Sequence, residues 1–152
     1  MSKYICIDSS VFVKLFFEEN DSNKAKDLIR RVIKDNQIIA LPSFAWAEIG
    51  SIFRKKVRSE QVSIEVVEEM WQAFSNFPGI EYVKENLIMD LAWDISCSFD
   101  LPTLYDAAFL AVAEEITNKT MEVCQFWTAD ERLVNSLRDK KDYVFCLSLY
   151  SG

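Results

Sequence analysis

Histidine is absent from this chain. That absence removes Ser-His-Asp and Cys-His nucleophilic sites, histidine general acid–base catalysis and every histidine-ligated zinc or iron centre. Hydrolytic chemistry must therefore rest on carboxylates, hydroxyls, lysines or a hard metal ion. The four cysteines, Cys6, Cys97, Cys124 and Cys146, form no C-x-x-C pair and read as buried reduced thiols acting as small hydrophobes. Glycine and proline number only three each, while half of the residues are hydrophobic, which argues against disorder. No charge-free apolar run approaches the roughly 20 residues of a membrane span. At the N-terminus "SKYICID" reaches an acid too soon for a signal-peptide core. These features predict a cytoplasmic protein without membrane contact, organised as one domain over residues 1–152.

Positive charge is the minority sign. A net charge of −7 opposes a nucleic-acid partner if taken alone, because phosphate contacts need a basic footprint. The cations are clustered, however. "RKKVR" places Arg54, Lys55, Lys56 and Arg58 together, with smaller groups at Arg30, Arg31 and Lys34 and at Arg138, Lys140 and Lys141. Such clusters also occur as solvated helix ends, so charge alone leaves the partner open.

What the chain does have is alternation. Residues 4–7 ("YICI") read as a strand, followed by a short helix over residues 10–19 and an amphipathic helix in "SNKAKDLIRRVIKDN", with Ala25, Leu28, Ile29, Val32 and Ile33 at helical spacing. "QIIAL" is a short strand stopped by Pro42. Ser43 is expected to cap a helix over residues 43–58, and Ser63 to start another over residues 63–77. "IEYV" is a candidate strand, and "ENLIMDLAWDISCSF" and "LYDAAFLAVAEEITN" are two further helices. "EVCQFW" is a strand, "ADERLVNSLRDK" a helix and "YVFCLSLY" a final strand or tail. Short strands alternating with helices predict an α/β fold, a three-layer α/β/α sandwich around a short, mostly parallel central sheet. Ligands in such folds sit beyond the carboxyl ends of the strands. Asp8 and Asp130 both follow strands.

Two further acids stand where an acid is costly. Glu48 shares a helix face with Phe44, Ala45 and Ile52, and Asp106 with Phe109, Leu110 and Ala113. Each of the four has a purely structural alternative. Asp8 and Asp130 suit N-caps, Asp106 suits a first helical turn, and Glu48 suits an internal ion pair. Jointly they can converge on one cleft. Two carboxylates about 4 Å apart repel by roughly 4 kcal/mol at an effective dielectric of about 20. Four such groups protonate or splay apart unless a cation joins them. All-oxygen ligation without histidine or cysteine selects Mg²⁺ or Mn²⁺.

These segments resemble the PIN domain, and within it the VapC-like toxins of toxin–antitoxin pairs. "IDSSVFVKLF" is similar to the family's first motif, with Asp8 its first acid and Ser10 its hydroxyl position. "AWAEIGSIFRKK" resembles the second motif through Glu48, "LPTLYDAAFLAVAEE" the third through Asp106, and "FWTADERLVNSL" the fourth through Thr128 and Asp130. The motifs keep the family's order and span residues 8–137. The resemblance implies a metal-dependent endoribonuclease in which Asp8, Glu48, Asp106 and Asp130 hold one or two Mg²⁺ or Mn²⁺ ions. Ser10 and Thr128 are then supporting hydrogen-bond donors. A metal-activated water attacks the phosphorus, leaving 5′-phosphate and 3′-hydroxyl ends. It also implies an RNA substrate, a cognate antitoxin protein and a homodimer. Because the chain is acidic, its track for RNA must be local, and Arg54, Lys55, Lys56 and Arg58 are the first candidates. Phe44, Trp46, Phe53, Trp71, Phe74 and Phe77 read mainly as core, with some of them available to a dimer or antitoxin surface.

Rival readings are weaker. A haloacid-dehalogenase-type phosphohydrolase needs a second acid two residues after the first, where Ser10 stands. A receiver-type phosphoacceptor needs neighbouring acids at the first strand end, which are missing. The remaining alternative is a PIN-like module that binds RNA or a protein without cutting. Against it, a buried anionic cluster destabilises a protein that gains no chemistry from it.

Overall fold

Tyr4–Ile7 forms strand β1, and its Ile5, Cys6 and Ile7 are wholly buried. A strand apolar on both sides is the mark of a parallel sheet covered on both faces, and β1 is indeed central. In the computed structural model, which describes residues 2–152, five parallel strands lie in the order β3-β2-β1-β4-β5. The others are β2 (Ile38–Pro42), β3 (Ile80–Val83), β4 (Gln125–Thr128) and β5 (Val144–Cys146). The helices are α1 (Ser9–Phe16), α2 (Ser22–Lys34), α3 (Ala45–Arg58), α4 (Ile64–Ser75), α5 (Met89–Phe99), α6 (Leu104–Thr120) and α7 (Glu131–Ser136). Single 3₁₀ turns follow β3 and β5.

The order gives the site its position. From β1 the chain winds outward through β2 to β3, then crosses back over β1 to β4 and β5. Right-handed crossovers in opposite directions put the two sets of helices on opposite faces, which makes the three-layer α/β/α sandwich. Helix α6 is buried almost all round from Ala107 to Ala113 and lies across β1, β2 and β4. Its alanines permit that close seat, and Phe109 packs on Phe126 of β4 at 6.1 Å. The Cys6 thiol donates to the Phe109 carbonyl at 3.5 Å. On the other face Phe12 of α1 meets Phe74 of α4 edge-on at 5.7 Å.

Several local expectations are corrected. Ser43 caps nothing: α3 starts at Ala45, and the Ser43 hydroxyl donates to Glu85 Oε1 at 2.8 Å. Glu48 therefore lies in the first turn of α3 rather than mid-helix. The helix after Asp130 stops at Ser136 because Arg138 and Asp139 adopt left-handed backbone, with φ of 50° and 57°. Ile33, grouped by spacing with the buried stripe of α2, is half exposed, as is Trp46 among the aromatics. Cys97 is exposed, whereas the other three thiols are buried and free. Ser63 does cap α4, accepting from the Val66 amide at 3.4 Å. Among the described residues, no helix is long and apolar enough to cross a membrane.

Candidate active site

Strands β1 and β4 are neighbours that lead in opposite directions around the sheet, so a crevice opens beyond their carboxyl ends. Asp8 stands at this point. Its amide donates to the Trp127 carbonyl at 2.9 Å, the last bond from β1 to β4. Ser9 then begins α1, so Asp8 occupies the N-cap position in extended backbone (φ −66°, ψ 151°) yet makes no side-chain cap bond. The capping alternative therefore does not account for Asp8.

Its carboxylate is engaged elsewhere. Thr128 Oγ1 donates to Asp8 Oδ2 at 2.7 Å, and Ser10 Oγ donates to the same oxygen at 2.9 Å. Each hydroxyl in turn accepts a backbone amide: Ser10 from Ala129 at 3.0 Å, and Thr128 from Asp130 at 3.0 Å. An oxygen already receiving an amide proton directs its own proton onward, so the polarity of both hydroxyls is set toward Asp8. The turn after β4 is thus tied to the turn after β1. Oδ1 receives no side-chain hydrogen bond among the described residues.

Glu48 enters from α3, half-buried, and its Oε1 accepts a hydrogen bond from the buried Ser9 hydroxyl. Ser9 was not singled out from sequence; the signal was the serine pair itself, since adjacent residues at a helix start reach different neighbours. Asp106 lies in the first turn of α6, half-buried and without any hydrogen bond among the described residues. Asp130 does cap α7, its Oδ1 accepting from the amides of Arg132 at 3.0 Å and Leu133 at 3.3 Å. The structural alternative thus holds for one oxygen of Asp130 and leaves Oδ2 unengaged.

The four acids feel one another. Burial pushes the Asp106 carboxyl up to about 6, helped by the charges of Asp8, Asp130 and Glu48. Burial also raises Asp8, opposed by the Thr128, Ser10 and Ser9 hydrogen bonds and reinforced by the charge of Asp130. Glu48 is raised by burial and by Asp8, while Ser9 pulls it down. None of the ion pairs among the described residues reaches any of the four, so the internal ion-pair alternative for Glu48 does not hold. Among the described residues, no three acidic or thiol side chains stand in metal-ligating geometry. By donor chemistry the set still fits a hard divalent cation: all the oxygens are carboxylate or hydroxyl, and the negative charges lack any positive partner.

The four cations of "RKKVR" separate. Arg54, Lys55 and Arg58 border a groove between α3 and α4. Lys56 turns the other way, to Glu19 at 3.6 Å and over the Phe17 ring at 5.2 Å. No curated protein matches the chain. The model of the PIN domain family matches residues 5–135, a span that contains all four acids, both supporting hydroxyls and the switch point between β1 and β4, and the chain belongs to that family.

Proposed function

We propose that this chain is a Mg²⁺- or Mn²⁺-dependent endoribonuclease of the VapC-like toxin type, formed by a single PIN-like domain over residues 1–152. PIN domains are nucleases as a rule and usually use divalent metals. The observation that carries the reading is that Asp8, Glu48 and Asp106 are each raised by burial and by the charge of a neighbouring carboxylate, with no cation paired to them among the described residues. Asp8, Glu48, Asp106 and Asp130 are the residues that would hold one or two ions. A divalent ion held there would supply Lewis acidity, lowering the pKa of water and offsetting charge on the scissile phosphate. The chain's own part is positional. Thr128 and Ser10 immobilise Asp8 through Oδ2. Ser9 orients Glu48. Asp106, raised to about 6, takes its charged form as the pH approaches neutrality. The expected products carry 5′-phosphate and 3′-hydroxyl ends.

Two partners belong to this reading. Met89, Trp93, Leu104 and Tyr105 leave an exposed apolar surface where α5 meets the start of α6, which supports a homodimer. A cognate antitoxin and a cytoplasmic location follow from the toxin assignment. Among the described residues no ligating triad is formed, which favours a second reading, a module that binds RNA or protein without cutting. The deciding experiment is RNA cleavage by purified protein with Mg²⁺, with Mn²⁺ and with EDTA, alongside Asp8→Ala and Asp106→Ala. Cleavage that requires metal and vanishes in both variants supports the nuclease. Folded protein that cuts no structured or single-stranded RNA favours the binding module.

A further inference from the structure

The groove between α3 and α4 does not include the four acids, but it runs along the flank of the helix that carries Glu48. It encloses about 690 Å³. Its two walls carry opposite charge. Arg54, Lys55 and Arg58 stand on the α3 side, exposed or nearly so, and none has an ion-pair partner among the described residues. Glu68 stands on the α4 side, continuous with exposed Glu65 and Glu69. Each wall also carries an indole, Trp46 on α3 and Trp71 on α4. Trp46 is 51% exposed and makes no aromatic contact among the described residues, whereas Trp71 is wedged edge-on against Phe53 at 6.3 Å. Gly50 lets the Trp71 indole seat directly against α3, because a Cβ there would lie 2.9 Å from Cζ3 of Trp71.

Resting on the ribonuclease reading, we infer that this groove is a subsite for a single-stranded flank of the RNA, with one base stacked on Trp46. A single strand is itself two-sided, with a phosphate edge and a base edge rich in N–H donors. The basic wall suits the phosphates, the indole suits a base face, and the carboxylate wall suits exocyclic amino groups. The arrangement also shows how a chain of net charge −7 holds a polyanion: three unpaired cations line one wall, and the acids opposite accept hydrogen bonds from bases instead of meeting phosphates.

The test is binding without turnover. A fluorescein-labelled 12-nucleotide single-stranded RNA is titrated in EDTA against wild-type protein, Trp46→Ala, Trp46→Phe and the double variant Arg54→Ala/Arg58→Ala, with folding of each checked by circular dichroism. Trp46→Ala is expected to weaken binding about 10-fold and Trp46→Phe to recover part of that loss. The double variant is expected to flatten the logarithmic salt dependence by about 1.4, or about 0.7 per phosphate contact. Lys34→Ala, exposed on α2 away from the groove, leaves the slope unchanged. Equal affinity and slope in all variants overturns the groove and leaves the nuclease reading intact if RNA is still cut. Trp46-dependent binding with no turnover at any metal concentration leaves the groove standing and removes the nuclease. Trp46-dependent binding of an acidic amphipathic helical peptide, with no RNA binding, overturns the RNA assignment in favour of a protein partner.

Discussion

Thr128 is wholly buried, and its hydroxyl does two things at once: it accepts the Asp130 amide and donates to Asp8. Replacing it with valine keeps the shape and leaves a buried donor and a carboxylate oxygen short of partners. Thr128→Val is therefore expected to destabilise the protein by about 1–3 kcal/mol, read by urea unfolding in EDTA. Ser10→Ala, at a partly exposed position, should cost less. Asp106 is raised first by burial and then by the charges of Asp8, Asp130 and Glu48. Its folded form holds a proton more tightly than the unfolded chain does, so stability is full below the ordinary carboxylate range near pH 4 and falls as pH rises through about 6. The shift of about two units is worth roughly 3 kcal/mol at face value. Solvent screening of a half-exposed side chain reduces this to on the order of 1 kcal/mol. Thermal melting of metal-free protein between pH 4 and pH 8 should show that decline, and Asp106→Asn should flatten it. An undiminished decline in Asp106→Asn would assign it to other groups.

Helix α3 carries both the acid Glu48 and the wall of cations, and its approach to α4 is set by Gly50. A methyl group at Gly50 must displace the end of the Trp71 indole, which Phe53 and Phe74 hold in place. Gly50→Ala gains about 1 kcal/mol of helix propensity against an overpacking cost of about 1–3 kcal/mol. The expected net is a loss of up to about 2 kcal/mol, with a shifted tryptophan emission band. Unchanged emission together with raised stability would mean that α3 and α4 are free to part. At this scale the sequence was informative wherever periodicity and burial agree, as in the apolar β1 or the Ser63 cap of α4. It was misleading where a tertiary partner outbid a local one. The Ser43 hydroxyl goes to Glu85 instead of capping α3, and the last predicted helix ends at two non-glycine residues in left-handed backbone. Composition carries no trace of either. Glu48 and Asp106 stood out by interrupting an apolar helix face and Asp8 and Asp130 by following strands, whereas Ser9, small and polar at a helix start, broke no pattern.

The strand order β3-β2-β1-β4-β5 is a property of the whole chain that no local pattern encodes, and it alone brings Asp8 beside Thr128 and Asp130 across 120 residues of sequence. The same order brings Glu48 and Asp106 to the crevice from opposite layers, so four negative charges meet in a molecule already at −7. Folding therefore works against repulsion at this crevice, and a divalent ion held there as proposed is expected to stabilise the entire domain. At a free concentration about 100 times the dissociation constant, linkage gives about 2.7 kcal/mol. For a domain of this size that corresponds to a rise of roughly 5–10 °C in melting temperature. The comparison is melting at pH 7.5 in Mg²⁺ or Mn²⁺ against NaCl of equal ionic strength, since screening alone relieves part of the repulsion. Asp8→Ala/Asp106→Ala protein should show a smaller rise in melting temperature from EDTA to metal than wild type, because two of the repelling carboxylates are gone. A metal-induced rise as large in that variant as in wild type would show that the ion binds elsewhere, and that the four acids owe their shared position to the fold rather than to a ligand.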